Sequence, residues 1–593
     1  MEVTVRDVHT LDDLFEFQRW LSQPRSVLAY DIETTGFDWW GADRIRLAQF
    51  GDSRSAWVFS YEEWRGVVRD VFKSYNGPMV GHNFRFDLHF TAHDLGLSTD
   101  SLGWHRLHDT MTLAHLIDPT VPKGLKPLAA KHIDPAAVAG QQELNDDMRR
   151  GKWNWATVPL ELKSYRFYAG LDTILTAQLF DRFYPYVMAK YPDAYGLEQV
   201  VSHPLFAMER HGMLLDRAYT ERAQADLMIR AEDIAAEVHR DYGIDNISSL
   251  PQIRDSLLGS GWVPNEDQQT PTGNPSLRAD VLDDIAHLFP LAHKVVQYRL
   301  ATKAASTWLD NFMASQDETG RVHPNIRQVA ARTGRMSITN PPLQTLPRES
   351  DARAKGLPSI RDCFVAPADH RLISADFSGI EARLFAHFAG EPEMIRTIHE
   401  GGDLHSLVAS AAYQIDISEV TKDQRQIAKS VNFASLYGAG PARVAVTAGI
   451  SEEESRDFFA RRDVAFPGIR RFQRQIMDEA VAQRAMGERA HIRTHIGSKI
   501  SITDEEPEYR LTNYLIQGSA AVVLKDRIIS LHNAGLTDLM LLPIHDEVLF
   551  EVPEQDCVEV TALIKENMPD NSSFDVPLAI DVSEPVLRWG AAK

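Results

Sequence analysis

Acidic residues end two apolar, strand-like runs that lie far apart in this chain of 593 residues. The run SVLAYDIE (26–33) ends with Asp31 and Glu33, and the run HRLISAD (370–376) ends with Asp376. Side chains two positions apart in a strand point to the same face, so Asp31 and Glu33 share a face. Like charges this close are costly without a compensating cation. Carboxylates thus end strands in two distant parts of the chain, and the length of 593 residues suggests about four domains.

The composition excludes several classes of protein. Apolar residues make up 44% and charged residues 24% of the chain, which is typical of globular domains and not of a collagen, a coiled coil or a disordered chain. No apolar run approaches the roughly 18 residues of a membrane helix, and the amino terminus lacks the pattern of a signal peptide. The two cysteines, Cys363 and Cys557, allow neither a disulfide framework nor a cysteine zinc site, so we expect a reducing cytoplasm.

The net charge of −21 at first argues against nucleic acid as a partner, because phosphate neutralisation needs lysine and arginine. Binding depends on local charge, however. Residues 321–371 carry nine lysines and arginines against four acidic residues. The acidic bulk of the chain must lie elsewhere, so this segment remains compatible with nucleic acid.

The order of the apolar patterns predicts several domains. Strands and helices alternate over the first ~190 residues, which is typical of an α/β unit. Two long helical stretches, 217–241 and 291–315, flank a polar connection and predict an antiparallel arm. Residues 385–530 are mainly helical, and residues 539–552 predict two strands around a polar turn.

Further residues in the α/β unit complete a candidate metal site. Asp87 stands at the predicted start of a helix, and Asp172 follows Tyr168 by four residues inside a helical pattern, so these two share a face. Four carboxylates suit two Mg²⁺ or Mn²⁺ ions, which prefer oxygen ligands and can clamp the oxygens of a phosphodiester. Tyr168 would orient the attacking water. Each motif alone is equally typical of a solvated surface.

Three motifs follow one another along the chain: Asp31 with Glu33, then Asp87, then Tyr168 with Asp172. In this order they resemble the motifs of the DEDDy 3′–5′ exonuclease family. The resemblance implies that Tyr168 positions the attacking water. The metal ligands that it implies are Asp31, Glu33, Asp87 and Asp172. Asp109 either joins this site or caps a helix. Trp39 and Trp40 either stack on an unpaired 3′ end or pack in the core.

A second candidate site lies on the predicted helix QRQIAKSVNFASLYG. Arg425, Lys429, Phe433 and Tyr437 recur every four residues, and at about 100° per residue they stay within one stripe of the helix. A helix amino terminus favours anions, so the cations suit a triphosphate and the rings suit a base. The alternative is an amphipathic helix with a mixed face.

Three segments resemble motifs A, B and C of family A DNA polymerases: DFSGIEAR (376–383), RQIAKSVNFASLYG (425–438) and HDE (545–547). The layout is similar to the large fragment of bacterial DNA polymerase I and to bacteriophage polymerases. The resemblance implies a multidomain chain of α/β and α+β class, with an RNase H-like exonuclease domain and a right-hand polymerase. The implied domains are the exonuclease (1–194) and the polymerase (195–593), with the thumb at about 217–316, the palm at about 195–216, 317–384 and 520–593, and the fingers at about 385–519.

The resemblance also implies a role for each motif residue. Asp376 and Asp546 would bind two Mg²⁺ or Mn²⁺ ions, with Glu547 beside them. Contacts to the incoming nucleotide would come from Arg425, Lys429, His405, Phe433, Tyr437 and Glu381, with Lys429 as the candidate acid for pyrophosphate and Glu381 excluding a ribose 2′-hydroxyl. Contacts to the primer terminus or minor groove would come from Arg335, Asn513, Gln517 and His545.

One position departs from the family pattern, because Pro342 stands where asparagine is usual, and no role carries over to it. Gln344 keeps an expected template contact. The connection between the two arm helices leaves no room for a large insertion, so we expect no thioredoxin-type processivity factor. We expect a monomer that binds primer–template DNA and dNTPs in the cytoplasm, that of a bacterial host if the chain is phage-encoded, and that does not bind a membrane.

Three functions remain open on the sequence. The first is a DNA polymerase with proofreading, which would serve phage DNA replication or DNA repair. The second is an exonuclease whose polymerase half only grips DNA, and the third is a non-enzymatic DNA-binding scaffold. The intact carboxylates and the cationic stripe favour the first.

Overall fold

The computed structural model describes residues 3–270, 272–436 and 440–592. Its amino-terminal unit combines a mixed sheet with helices on both faces. The strands are β1 (Thr4–Val8), β2 (Leu28–Thr34), β3 (Ile45–Gly51), β4 (Ser55–Ser60), β5 (Met79–Gly81) and β6 (Leu107–Asp109). The helices are α1 (Leu11–Leu21), α2 (Tyr61–Ser74), α3 (Arg85–Leu95), α4 (Thr110–Ile117), α5 (Leu125–His132), α6 (Ala139–Gly151) and α7 (Lys163–Lys190).

Strand β2 lies inside this amino-terminal sheet, whose order is β1-β4-β3-β2-β5-β6. It pairs antiparallel with β3 and parallel with β5. Tyr30 belongs to the core on one face, and Ala29 belongs to the core on the opposite face together with Ala177 of α7. Because side chains alternate along a strand, Asp31 and Glu33 follow Ala29 onto the face that α7 covers.

A long helix, α8 (Pro192–His211), leads from this unit into a helical arm. The arm consists of α9 (Arg217–Tyr242), α10 (Leu250–Gly259), α11 (Ala279–Ile285), α12 (Pro290–Lys303) and α13 (Asn311–Ala314), and β7 (Met213–Leu214) precedes it. Helices α9 and α12 pack together, so the predicted pair of long helices is present. The second predicted helix is not continuous, because residues 304–310 form a π-helical segment between α12 and α13.

The remaining chain forms a second sheet and a large helical region. The strands are β8 (Arg321–Val322), β9 (Asn325–Arg327), β10 (Ser337–Thr339), β11 (His370–Phe377), β12 (His491–Arg493), β13 (Lys499–Ser501), β14 (Met540–Ile544), β15 (Glu547–Pro553) and β16 (Ile580–Val582). The helices are α14 (Glu349–Ala354), α15 (Ile380–Ala389), α16 (Pro392–His399), α17 (Leu404–Tyr413), α18 (Lys422–Leu436), α19 (Pro441–Ala448), α20 (Glu452–Ala465), α21 (Pro467–Ala485), α22 (Arg510–Asn533) and α23 (Cys557–Asn567).

The carboxyl-terminal sheet has the order β14-β15-β11-β16, and its strands pair antiparallel. The predicted strands around a polar turn are confirmed as the hairpin of β14 and β15. The hairpin of β12 and β13 interrupts a region that the sequence predicts as mainly helical. In the described ranges, none of the helices has both the length and the apolar character needed to span a bilayer.

Polar contacts fix α8 and the amino-terminal unit to the rest of the chain. Lys525 of α22 is fully buried, and its Nζ donates a 2.6 Å hydrogen bond to Glu198 Oε1 of α8. Gln328 Nε2 donates to the other carboxylate oxygen of Glu198 at 2.7 Å. Arg489 Nη1 lies 2.9 Å from Asp118 Oδ2 of the amino-terminal unit. These contacts hold the two sheets in a defined relation.

Candidate active sites

Asp31 and Glu33 point into the space between β2 and α7. Gln49, opposite Asp31 on β3, donates a 2.6 Å hydrogen bond from Nε2 to Asp31 Oδ2. Burial raises the pKa of Asp31 to about 6, although this hydrogen bond opposes the shift. Burial and then the charge of Asp31 raise the pKa of Glu33 well above its usual range. These shifts indicate two carboxylates held close together away from water.

Asp87 joins this pair from α3. Its Oδ1 accepts a 3.1 Å hydrogen bond from the backbone N–H of Ile32, which lies between the two acidic residues of β2. Burial and then the charge of Asp31 raise the pKa of Asp87 well above its usual range. The fold thus brings Asp87 next to Asp31 across 55 positions of sequence.

Helix α7 contributes Tyr168 and Asp172 to the same cluster. Burial raises the pKa of Tyr168, and the charges of Glu33 and Asp31 raise it further. The phenol therefore lies near both carboxylates and keeps its proton. Asp172 is buried, and its Oδ1 accepts a hydrogen bond from Lys126 Nζ.

Lys126 of α5 is a member of this cluster that the sequence pattern does not reveal. Its side chain is buried, it contacts Asp172, and its Nζ lies 4.4 Å from the ring centroid of Tyr168. Burial lowers the pKa of Lys126 to about 8, while the charges of Asp31 and Glu33 oppose that shift. In the sequence LKPLAAKH it resembles an ordinary surface charge, and only the packing of α5 on α7 brings it to the carboxylates.

Asp109 has a structural role instead. It caps the amino terminus of α4, and its two carboxylate oxygens accept the backbone N–H groups of Asn83 and Phe84 at 3.1 and 2.9 Å. The helix-cap interpretation is therefore the correct one. Trp39 is buried and stacks on His89 with ring centroids 5.0 Å apart, which favours the core-packing interpretation for this residue.

The second cluster lies at the end of the carboxyl-terminal sheet. Asp376 of β11 and Glu547 of β15 stand directly opposite each other. Asp546 lies in the turn before β15, and its carbonyl oxygen accepts a 3.2 Å hydrogen bond from the Phe377 N–H. Oδ1 of Asp376 is buried and has no hydrogen-bond partner among the described residues. Burial, followed by the charges of Asp546 and Glu547, raises the pKa of Asp376 to about 7.

Two arginines that the sequence analysis did not single out lie near these carboxylates. Ser374 Oγ donates a 2.7 Å hydrogen bond to Glu547 Oε1, and Arg361 Nη1 lies 4.0 Å from Glu547 Oε2. Arg348 Nη2 lies 3.8 Å from Asp376 Oδ2, and its side chain is 63% exposed. Both arginines belong to the basic segment of the sequence, which is the signal that could have identified them.

Helix α18 begins with a fixed arginine. Arg425 donates from Nε and Nη2 to the two carboxylate oxygens of Asp403, at 2.7 and 3.0 Å. Burial acts to raise the pKa of Asp403, but hydrogen bonds from Arg425 and Ser406 lower it to about 2. His405 Nδ1, on α17, lies 3.3 Å from Nδ2 of Asn432 on α18. The ion pair therefore sets the orientation of a guanidinium at the start of α18.

Lys429 follows Arg425 by four residues and is partly exposed. Burial lowers the pKa of His405, and the charges of Arg425 and Lys429 contribute to that shift. The three groups therefore lie near one another at one end of α18. The side chain of Phe433 and the whole of Tyr437 lie outside the described residues.

Arg335 and Glu381 form an ion pair beside the second carboxylate cluster. Arg335 Nη2 donates to Glu381 Oε1 in the first turn of α15. Burial raises the pKa of Asp546, and the charge of Arg335 is the largest effect that opposes this shift. Both members of the pair thus lie close to the carboxylates that end the sheet.

The hairpin turn and α22 carry the other residues predicted to contact DNA. His545 adopts the left-handed conformation with φ of 55°, and its Nδ1 lies 3.3 Å from Gln344 Nε2. Asn513 and Gln517 are partly exposed and lie four residues apart on α22, so they share one face.

Both clusters suit hard divalent cations by their donor chemistry, because carboxylate oxygens are the ligands that Mg²⁺ and Mn²⁺ prefer. The buried, unpartnered Oδ1 of Asp376 is a specific indication of a missing positive charge. Within the described ranges, no group of three or more His, Cys, Asp or Glu side chains is already arranged to hold a metal ion.

Comparison with known proteins identifies two domains. Residues 217–590 match the family model for DNA polymerase family A, and residues 5–187 match the model for a 3′–5′ exonuclease. The DNA polymerase of Mycobacterium phage D29 is 30% identical over 592 residues, which cover 95% of this chain and 94% of the phage protein. DNA polymerase I of Chloroflexus aurantiacus is 30% identical over 540 residues, which cover 87% of this chain and 55% of that protein.

A solved structure has the same fold. The POL domain of Pol1 from M. smegmatis, in complex with DNA primer-template and dNTP, matches with a TM-score of 0.80 and 24% identity, covering 99% of this chain and all of that chain. The fold and the two carboxylate clusters define a polymerase that carries its own nuclease domain. The chain belongs to family A of the DNA polymerases and has a 3′–5′ exonuclease domain. Domains of these families generally depend on divalent metal ions.

Proposed function

We propose that this polymerase adds dNTPs to a primer 3′ end by two-metal nucleotidyl transfer at Asp376 and Asp546. The observation that carries the proposal is the buried Oδ1 of Asp376, which lacks a partner among the described residues and lies beside the charge of Asp546. Two Mg²⁺ or Mn²⁺ ions held here would activate the primer hydroxyl and offset charge on the phosphate. Glu547 accepts a hydrogen bond from Ser374 and adds a further carboxylate at the end of the sheet.

The start of α18 binds the triphosphate in this proposal. Arg425 presents a guanidinium whose orientation an ion pair already fixes, and planar guanidinium groups match phosphate oxygens. Lys429 and His405 lie beside it, and Lys429 donates a proton to the pyrophosphate that leaves. Phe433 and Tyr437, four and eight residues after Lys429 in the sequence, would cover the nascent base pair.

Residues around the ion pair of Arg335 and Glu381 recognise the sugar and the primer. Glu381 occupies the space of a ribose 2′-hydroxyl, and Arg335 contacts the primer terminus in the minor groove. Asn513, Gln517 and His545 contact the same groove, where the acceptors of all correct base pairs look alike. The pair uses only Nη2 of Arg335, so the other N–H donors of its guanidinium remain for contacts with DNA.

The amino-terminal cluster removes misincorporated nucleotides in this proposal, with the residues of a DEDDy exonuclease. Asp31, Glu33, Asp87 and Asp172 hold two divalent ions, and the phenol of Tyr168 orients the attacking water. The raised pKa of Tyr168 keeps its hydroxyl protonated, so that it can donate a hydrogen bond. Hydrolysis of the terminal phosphodiester then releases one nucleotide.

The layout supports the predicted domains, with the exonuclease at 1–194 and the polymerase at 195–593. The helical arm 217–316 corresponds to the thumb, the carboxyl-terminal sheet lies in the palm, and α16 to α21 lie in the fingers. The similarity to a phage DNA polymerase over nearly the whole chain favours phage DNA replication over repair. We expect a monomer in the host cytoplasm.

Primer extension separates this function from the alternatives. With Mg²⁺, dNTPs and a primed template, the wild-type chain should extend the primer, and without dNTPs it should shorten it. An exonuclease with a silent polymerase half would only shorten the primer under both conditions. A non-enzymatic scaffold would shift the DNA in a gel and change its length under neither condition.

A further inference from the structure

Lys126 places a positive charge inside the exonuclease cluster. It is buried in the first turn of α5, its Nζ donates to Asp172 Oδ1, and it lies 4.4 Å from the ring centroid of Tyr168. It is also attracted to the charges of Asp31 and Glu33. Its ammonium therefore contacts Asp172 of α7 and faces the two carboxylates of β2.

A buried lysine is costly unless an opposite charge compensates it. Lys131, on the same helix, shows the ordinary alternative, because its side chain is exposed. Lys126 instead points towards the sheet, where four acidic groups converge. An ammonium at this place lowers the repulsion among the carboxylates, and it occupies an oxygen of Asp172 that a divalent ion would need.

We propose that Lys126 is a positioning residue that serves as an internal counter-ion of the exonuclease site. Its ammonium holds Asp172 beside the other carboxylates when no divalent ion is bound, and it withdraws from Asp172 when one binds. This inference rests on the proposed metal-dependent exonuclease site. It predicts a competition between the lysine and the metal ion for the same carboxylate oxygen.

The competition has an unusual consequence for mutants. Removal of a lysine that only supports the fold should weaken metal binding or leave it unchanged. Removal of a competing cation should instead tighten metal binding, because the site becomes more negative and Asp172 is no longer occupied. The same change should make the protein less stable without metal, because the carboxylates then repel one another.

The test uses the full chain with Asp376→Ala and Asp546→Ala, so that Mn²⁺ binding reports on the exonuclease site. Free Mn²⁺ is measured by electron paramagnetic resonance during a titration. Lys126→Met should lower the dissociation constant at least about tenfold. It should also lower the unfolding temperature in EDTA and enlarge the rise that Mn²⁺ produces. The exposed Lys131→Met should bind Mn²⁺ as the parent does, and Lys126→Arg, which keeps the charge, should not bind it more tightly than the parent.

Unchanged or weaker Mn²⁺ binding in Lys126→Met would overturn the inference. So would an unchanged Mn²⁺ affinity together with slower excision at saturating Mn²⁺, which would assign the ammonium to the DNA phosphate. If Lys126→Met does not fold, tighter binding by Lys126→Gln supports the proposal and unchanged binding refutes it. Asp31→Ala with Glu33→Ala should abolish Mn²⁺ binding in the same background, and if it does not, the proposed metal site itself is wrong.

Discussion

The two carboxylate clusters of this polymerase use the same ligand chemistry but compensate their charge differently. In the exonuclease cluster, Lys126 contacts Asp172 directly and is attracted to the other acidic groups. In the polymerase cluster, Oδ1 of Asp376 has no partner among the described residues, and Arg348 lies 3.8 Å from the other oxygen. The difference indicates that a buried lysine compensates Asp172 directly in the exonuclease cluster, whereas one buried oxygen of Asp376 lacks such a partner and the neighbouring arginines lie further away.

The clusters also differ in how the fold assembles them. The polymerase carboxylates come from one hairpin and the strand beside it, and the pairing of Asp376 with Glu547 is set by strand register. The exonuclease carboxylates come from β2, α3 and α7, so tertiary packing sets their positions. A change of one ligand should therefore act mainly on chemistry in the polymerase cluster and on both chemistry and stability in the exonuclease cluster.

The largest effect is expected for Asp546→Ala. Loss of a metal ligand removes charge stabilisation in the transition state, so the rate of single-nucleotide incorporation should fall at least about a thousandfold. Primer–template affinity should persist, because the change removes a negative charge near DNA. Rapid-quench measurement of one incorporation step gives the rate. Excision of a 3′ nucleotide by the same protein is the control, and it should stay at the wild-type rate.

A smaller effect, on stability, is expected for Asp172→Asn in the exonuclease cluster. The change leaves the buried ammonium of Lys126 without its charged partner, which should lower the free energy of unfolding by about 2 kcal/mol. Urea denaturation in EDTA measures the loss. An unaltered midpoint would mean that the contact between these two residues contributes nothing to the fold, and Lys126 would then not stabilise the exonuclease cluster.

A mutation that relaxes sugar selection should act on the polymerase site and not on the exonuclease site. Glu381→Ala removes the side chain proposed to fill the place of a ribose 2′-hydroxyl, so the ratio of ribonucleotide to deoxynucleotide incorporation should rise about tenfold. Use of dNTPs should fall too, because the same carboxylate anchors Arg335. Removal of a 3′ ribonucleotide relative to a 3′ deoxynucleotide should not change. If the incorporation ratio stays constant, Glu381 does not face the sugar.

The smallest effect, and one of opposite sign, is expected for Asp376→Asn. Its pKa is raised to about 7 from the usual 3.8, so ionisation of Asp376 costs stability at pH 8, and this cost shrinks progressively as the pH falls from about 7 towards 3.8. The side chain is partly exposed, so the gain in EDTA at pH 8 should be only about 1 kcal/mol. The same urea series at pH 6 should show a smaller gain. Destabilisation at pH 8 would contradict the uncompensated charge.

Much of the fold follows from local patterns in the sequence. The apolar runs predict β2, β11 and the hairpin of β14 and β15, because each strand is bounded by polar residues. The arm helices follow from their periodicity, but the π-helical segment at residues 304–310 has no signal in that periodicity. The carboxylates could be predicted because few residue types can serve as ligands of a divalent metal ion.

Other features of the sites could not be predicted from the sequence. The sequence pattern around Lys126 is that of a surface lysine, and only the packing of α5 on α7 buries it. The sequence leaves Asp109 open as a metal ligand or a helix cap, and the structure shows that it caps α4. Arg348 and Arg361 stand in a basic segment, but their distances to the carboxylates depend on how that segment crosses the end of the sheet. Contacts between distant segments decide each of these cases.

If one chain holds two independent carboxylate sites, Asp31→Ala with Glu33→Ala should remove one activity and leave the other. A single preparation is assayed for removal of a mismatched 3′ nucleotide without dNTPs and for extension of a matched primer with dNTPs. We expect excision to fall at least about a thousandfold and the extension rate to stay within about twofold of wild type. A parallel loss of both activities in a folded protein would contradict it.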